Sequence, residues 1–242
     1  SYFTQRVERD LGLPEALRQL QLVALVDKDL KDKMENYHFS YKANEFIIPD
    51  WAKMSVSHLA WPKESYEKIE NKFLQRFSFA KPYICIAPGS VWPTKRWVEE
   101  GFVKVSTELS RQGLQIVILG APDERELCER VERQVPQSLS MAGHLSIWQS
   151  MMVIDSAKAL LCNDSGAMHM AAVVDTPIVS VFGPTVQELG YRPWSMKSTV
   201  LENNRMLCRP CGQHGGRECP IGTHDCMKSI KPTDVLNALT TY

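Results

Sequence analysis

The sequence predicts an α/β fold, a parallel sheet with helices on both faces, and three observations carry that expectation. Short runs rich in Ile, Val, Leu and Cys alternate with longer amphipathic stretches, the pattern of strands buried on both sides between crossover helices. Two of those runs end in polar turns that lead into helices, Ala87-Pro88-Gly89-Ser90 through Lys95-Arg96-Trp97 and Asn163-Asp164-Ser165-Gly166-Ala167-Met168-His169. Glycine is confined to the same region: Gly12 precedes Gly89, and the other twelve of the 13 lie at or beyond Gly89. Such turns, at the carboxyl ends of neighbouring parallel strands, face each other across a crevice, as in Rossmann-like sheets.

The elements follow in order. Residues 14–35 mix Leu, Val and Ala with many charges, a helical composition, and Asn44 to Pro49 reads as a short strand stopped by proline. From Trp61-Pro62 the pattern becomes regular, with a charged amphipathic helix near 63–77 that bridges two domains. Strand 83–87, helix 97–112 ended by Gly113, strand 115–119 and helix 123–134 come next. An extended piece at 139–142, helix 146–157, strand 159–162, helix 167–174 and strand 178–182 complete the alternation. The expected division is 1–62 as an N-terminal region and linker, and 63–242 as a Rossmann-like domain with a cysteine-rich loop at 205–228.

Composition bounds the function. With 44% hydrophobic residues the chain can build a core, and 28 basic against 28 acidic residues remove the usual electrostatic case for nucleic acid. No apolar run approaches the roughly 20 residues that span a bilayer, and no signal-peptide pattern opens the chain. The expected location is cytoplasmic. Cys85, Cys128 and Cys162 fall in apolar patterns, where a reduced buried thiol is the ordinary state.

The polar turns carry the chemistry. A strand that ends in carboxylate, hydroxyl and glycine before a helix offers free N–H groups to an anion. Lys95 and Arg96, where the other strand-end loop becomes a helix, can bring two cations to the same anion. Asp164 repels a diphosphate but accepts hydrogen bonds from sugar hydroxyls; its alternative role is an N-cap.

These turns resemble the ADP-heptose:lipopolysaccharide heptosyltransferase family, glycosyltransferase family nine. The resemblance rests on the PGS…TKRW segment, Gly120-Ala121-Pro122-Asp123-Glu124, Met141-Ala142-Gly143, the NDSGAMH run and Phe182-Gly183-Pro184-Thr185, spread over residues 60–240. It implies the C-terminal, donor-binding half of a two-domain GT-B glycosyltransferase that moves heptose from ADP-heptose to the lipopolysaccharide inner core, with inversion and without metal or cofactor. By resemblance Lys95 and Asp164 are catalytic, Lys95 on the diphosphate and Asp164 on the sugar. Ser90, Arg96, Ser165, Gly166 and His169 surround the phosphates, Glu124 binds the ribose and Leu145 lies beside the adenine. The implied partners are the nucleotide-sugar donor and a lipid-linked oligosaccharide acceptor at the inner membrane surface. The family's acceptor domain and its aspartate base need more than the eighty residues that precede the PGS segment, so the 242 residues are expected to be a fragment, inactive alone.

Two other readings stay open: a non-catalytic nucleotide-binding module of the same fold, and a metal-binding module. Cys208, Cys211, Cys219 and Cys226, spaced C-x2-C-x7-C-x6-C, could close a tetrahedral zinc site, but the last two lack a second C-x2-C pair, so a loop without metal is the preferred expectation. Asp27-Lys28-Asp29 lies in a charged helical run and reads as a solvated helix face.

Overall fold

A computed structural model describes residues 13–25, 27–39, 46–53, 61–73 and 76–242. Helices α1 (Glu15–Val23), α2 (Lys28–Glu35) and α3 (Lys63–Phe73) precede the first strand, β1 (Tyr83–Ala87). Then come α4 (Glu99–Arg111), β2 (Gln115–Ile118), α5 (Arg125–Gln134), β3 (Ser138–Ser140), α6 (Ile147–Asp155) and β4 (Leu160–Asn163). The order closes with α7 (Gly166–Val173), β5 (Ile178–Phe182), β6 (Ser198–Glu202), α8 (Asp225–Lys228) and α9 (Pro232–Leu239).

The six strands form one sheet in the order β3-β2-β1-β4-β5-β6. Every pairing is parallel, with Cys85 opposite Leu160 across the central β1–β4 pair. This is the doubly wound arrangement, and its strand order reverses between β1 and β4. The carboxyl ends of those two strands are where such sheets bind ligands.

The uniform apolarity of the strands follows from two covered faces. On one face Ile84 and Ile86 of β1 join Phe102 and Val105 of α4, Val131 of α5 and Val235 of α9. Tyr83, Cys85 and Ala87 point the other way, into a cluster with Ile69 of α3, Met152 and Ile154 of α6 and Met168 of α7. The Tyr83 hydroxyl, buried in that cluster, donates to Val153 O at 2.6 Å. A third, smaller cluster of Leu17, Phe46, Ile48, Ala52 and Trp194 holds the N-terminal pieces against the chain after β5. There Glu15 N donates to Gly190 O at 2.9 Å, and Trp194 Nε1 to Ala52 O at 2.7 Å.

The structure corrects the sequence reading in three places. Phe46 to Pro49 form no strand, although Phe46 and Ile48 are buried; Asn44 and Glu45 of that expected strand, and Gly12, lie outside the described residues. The helix expected near 63–77 is described from Lys63 to Phe73; residues 74 and 75 lie outside the described residues, and Arg76 N and Phe77 N donate to Phe73 O at 2.8 and 3.2 Å. Helix α4 begins at Glu99 rather than 97, because Pro93–Lys95 form a separate 3-10 turn. The alternation also continues past Phe182, with β6 as a half-buried edge strand and α9 packed under β5 and β6. Asp27 proves to be the N-cap of α2, accepting from Leu30 N at 2.9 Å, and Asp29 pairs with Lys33 on the exposed side.

Candidate functional site

The loop after β1 is fixed by one side chain from β4. Asn163 is fully buried. Its Nδ2 donates to Pro88 O at 2.9 Å and Gly89 O at 3.1 Å, and its Oδ1 accepts from Trp97 N at 2.8 Å. A single amide therefore ties down both ends of the segment that contains Ser90, Lys95 and Arg96. Buried polar groups of this kind must be satisfied, so the loop shape is specified as tightly as core packing.

Lys95 and Asp164 meet at the centre. Lys95 Nζ lies 2.6 Å from Asp164 Oδ2, with only 8% and 4% of the two side chains exposed. Thr185, at the end of β5, donates its hydroxyl to the same Oδ2 at 2.7 Å. Both donors use one carboxylate oxygen, which leaves Oδ1 without a hydrogen bond among the described residues. Lys95 Nζ also stands 6.0 Å from the Tyr191 ring centroid. The residues expected to serve a diphosphate and a sugar separately are thus an ion pair in this structure. Asp164 is not an N-cap: Ser165 holds that position in α7 and makes no side-chain cap.

Ser165 Oγ is buried and has no hydrogen-bond partner. It sits at the start of α7, where Met168 N donates to Ser165 O at 3.2 Å and the amides of Gly166 and Ala167 have no intrahelical acceptors. His169, one turn further on, is exposed to solvent. Desolvation lowers its pKa below the usual value, the Asp164 carboxylate opposes that, and the Lys95 ammonium reinforces it. Ser90 is buried and its hydroxyl donates to Asp164 O at 3.4 Å, so it bridges the two turns. Arg96 Nε donates to Ser90 O at 2.9 Å and braces its own loop.

Glu124 comes from the turn after β2 and reaches the same place. Its Oε2 accepts from Ala121 N at 2.9 Å. The carboxyl lies so close over Gly89 that a Cβ there would be 2.1 Å from Glu124 Cδ. Gly89 is therefore needed for close approach. Leu145 follows β3 on the next strand end, half-buried against the core face that contains α6 and α7.

The cysteine-rich segment packs on this site from behind. Arg209 is buried with Glu202, 2.7 Å from its Oε2, and donates to Gly183 O, to Thr185 O at 2.6 Å and to Asn203 O at 3.0 Å. Cys208, Cys211, Cys219 and Cys226 line one cavity of about 330 Å³. Among the described residues no group of three or more His, Cys, Asp or Glu is set to hold a metal ion. Cys85, Cys128 and Cys162 are buried free thiols, and burial pushes the Cys128 thiol up to about 12.

The doubly wound sheet agrees with the comparisons. The model of glycosyltransferase family 9 (heptosyltransferase) matches residues 18–221. The chain belongs to glycosyltransferase family 9. Lipopolysaccharide heptosyltransferase 2 of Salmonella typhimurium is 29% identical over 199 residues, 78% of this chain and 55% of that protein. Lipooligosaccharide heptosyltransferase 2 of Campylobacter jejuni is 31% identical over 175 residues, 70% of this chain and 53% of that protein. Among solved structures, Escherichia coli ADP-heptose lipopolysaccharide heptosyltransferase II superposes with a TM-score of 0.62 at 25% identity, over 75% of this chain and 51% of that one. The chain thus spans about half the length of the curated relatives it matches, and its sheet is the α/β half-fold of these two-domain enzymes.

Three residues of this family 9 site were not singled out by sequence reasoning, Asn163, Arg209 and Thr94; Thr185 was read only as part of the strand-end turn Phe182-Gly183-Pro184-Thr185. Asn163 and Thr185 stand at strand ends inside the quoted motifs, which is a usable signal. Arg209 and Thr94 act on backbone carbonyls and amides, and nothing in their sequence neighbourhood indicates which.

Proposed function

We propose that this chain is the donor-binding half of a glycosyltransferase that takes heptose from ADP-heptose and passes it, with inversion, to the lipopolysaccharide inner core. The observation that carries the reading is the meeting of Lys95, Asp164, the unpartnered Ser165 hydroxyl and the start of α7 at the β1–β4 switch point. In transfer, an acceptor hydroxyl gives its proton to a base of the acceptor-binding half and attacks the anomeric carbon, the bond to the β-phosphate oxygen breaks, and negative charge gathers on the departing ADP. A fixed ammonium and helix amides stabilise that charge. Asp164, with one oxygen held by protein and the other open, suits a sugar hydroxyl. Glu124 suits the ribose hydroxyls, and Leu145 the adenine face.

The Salmonella and Campylobacter relatives are lipopolysaccharide and lipooligosaccharide heptosyltransferases, and the solved Escherichia coli structure is an ADP-heptose lipopolysaccharide heptosyltransferase; these support the donor and the acceptor class. No helix among the described residues is long and apolar enough to cross a membrane. We assign residues 63–242 to the donor domain, the acceptor to a lipid-linked oligosaccharide at the inner membrane surface, and the enzyme to its cytoplasmic side. Calorimetry with ADP tests the donor half. Mass-spectrometric detection of heptose on a lipid A-core acceptor, using a longer chain that contains these residues, tests the transfer. Absence of ADP binding at millimolar concentration would sink the reading.

Two predictions arise here. Because His169 has a lowered pKa in the free protein and a diphosphate beside it raises that pKa, ADP binding should take up a proton. Affinity should therefore rise as pH falls from about 8 to about 6 and level off below the free-protein pKa, whereas His169→Gln should flatten the profile. Titrations in buffers of different ionisation enthalpy measure the uptake. The second concerns Gly89→Ala, whose Cβ displaces the Glu124 carboxyl. That carboxyl ends a flexible side chain, so stability should change by only about 1 kcal/mol, the worth of its bond to Ala121 N. ADP should bind roughly fivefold more weakly while inorganic pyrophosphate, which lacks the ribose, binds as before.

A further inference from the structure

All three polar groups of Thr94, the residue before Lys95, are bonded to the cysteine-rich segment. Thr94 N donates to Gly216 O at 3.3 Å, Thr94 Oγ1 donates to Gly216 O at 2.7 Å and accepts from Gly216 N at 2.8 Å, and Thr94 O lies 2.8 Å from His224 Nε2. Because a carbonyl only accepts, His224 Nε2 must be the protonated nitrogen. Thr94 is 6% exposed, as is Lys95. Gly215 has φ +77°, and a Cβ on it would stand 2.9 Å from Thr94 Oγ1 and 3.0 Å from Pro184 Cγ. His224 itself is held in the left-handed region, φ +55°, which a histidine keeps only where its surroundings over-determine it.

The other end of the same segment holds the third member of the central cluster. Cys211 N donates to Pro184 O at 2.8 Å, and Arg209 donates to Gly183 O and Thr185 O. One strap, from Arg209 to His224, thus binds the backbone on both sides of the Lys95–Asp164–Thr185 cluster. It touches neither Lys95 Nζ nor Asp164 by hydrogen bond.

We propose that the cysteine-rich segment is a positioning device for the diphosphate-binding lysine, and that Thr94 and His224 are the positioning residues through which it acts. The inference rests on the assignment of Lys95 to the ADP diphosphate. A 3-10 turn of three residues has no helix to stiffen it, so the direction of the Lys95 stem depends on the anchoring of Thr94. The strap supplies that anchor from a part of the chain more than 120 residues away.

A double-mutant cycle read by ADP calorimetry and by melting temperature tests this. Thr94→Val should weaken ADP binding roughly fivefold to tenfold, while Thr94→Ser, which keeps the hydroxyl, should match the parent. His224→Ala should weaken it similarly, and His224→Gln, which keeps a donor, should restore it. In a Lys95→Ala background neither Thr94→Val nor His224→Ala should weaken ADP further. Equal losses with and without Lys95 would show a general structural effect and overturn the proposal. Parent-like affinity in both Thr94→Val and His224→Ala, with Lys95→Ala still impaired, would overturn it and leave the donor assignment standing. Parent-like affinity in Lys95→Ala would remove both.

Discussion

Lys95→Ala should lose both ADP affinity and stability, for two separable reasons. The ammonium is the charged donor nearest the expected diphosphate, and a hydrogen bond to a charged group is worth about 1.5–3 kcal/mol, so affinity should fall roughly 10- to 150-fold. The same substitution leaves the Asp164 carboxylate buried with Thr185 as its remaining partner. Breaking a buried ion pair from one side costs about 3–5 kcal/mol, a fall in Tm of roughly 6–20 °C for a chain of this size. A second change, Asp164→Asn, should return part of that stability because the orphaned charge disappears. It should not return ADP affinity. Calorimetry and thermal melts on the parent, the single mutants and the double mutant measure both effects.

Asp164→Asn alone should separate sugar from phosphate. As a plain N-cap, Asp164 would tolerate the change with little effect on melting, but the structure gives the cap position to Ser165 and the carboxylate to Lys95 and Thr185. The variant should therefore melt lower than the parent, since a buried ammonium loses its counter-charge. ADP affinity should rise by up to about tenfold, because the competitor for Lys95 is gone and one removed negative charge is worth on the order of 1.4 kcal/mol. In a longer chain that performs transfer, the rate should fall roughly 10- to 150-fold through the lost sugar contact. Weaker ADP binding with an unchanged rate would instead make Asp164 an organiser of the phosphate turn.

The sheet was legible because its strands are covered on both faces. Ile84-Cys85-Ile86 and Leu160-Leu161-Cys162 are apolar at every position, a signal that needs no tertiary information. Strand β6 gave no such signal, since Ser198–Glu202 forms a half-buried edge of mixed polarity. Phe46 and Ile48 misled in the opposite direction: alternating burial against Trp194 imitates a strand without any pairing partner. Among site residues, Lys95, Asp164, Ser90, Glu124 and Ser165 fall on strand-end turns, and Gly166 and His169 in the first turn of α7, where the motifs placed them. What sequence could not show is that Lys95 and Asp164, 69 residues apart, neutralise each other. Pairing of that kind depends on strand order, and only the β1–β4 adjacency brings the two turns together. Arg96 illustrates the same limit, because a cation in a phosphate-like loop can as readily brace its own backbone.

The central claim is that the diphosphate takes Lys95 from Asp164. A crystal structure of this chain with ADP tests it most directly. The account predicts Lys95 Nζ at about 2.7–2.9 Å from a phosphate oxygen, the charge-assisted distance, with Ser165 Oγ and the first amides of α7 on the same group and Glu124 at the ribose. ADP bound elsewhere, with Lys95 still paired to Asp164 alone, would contradict it.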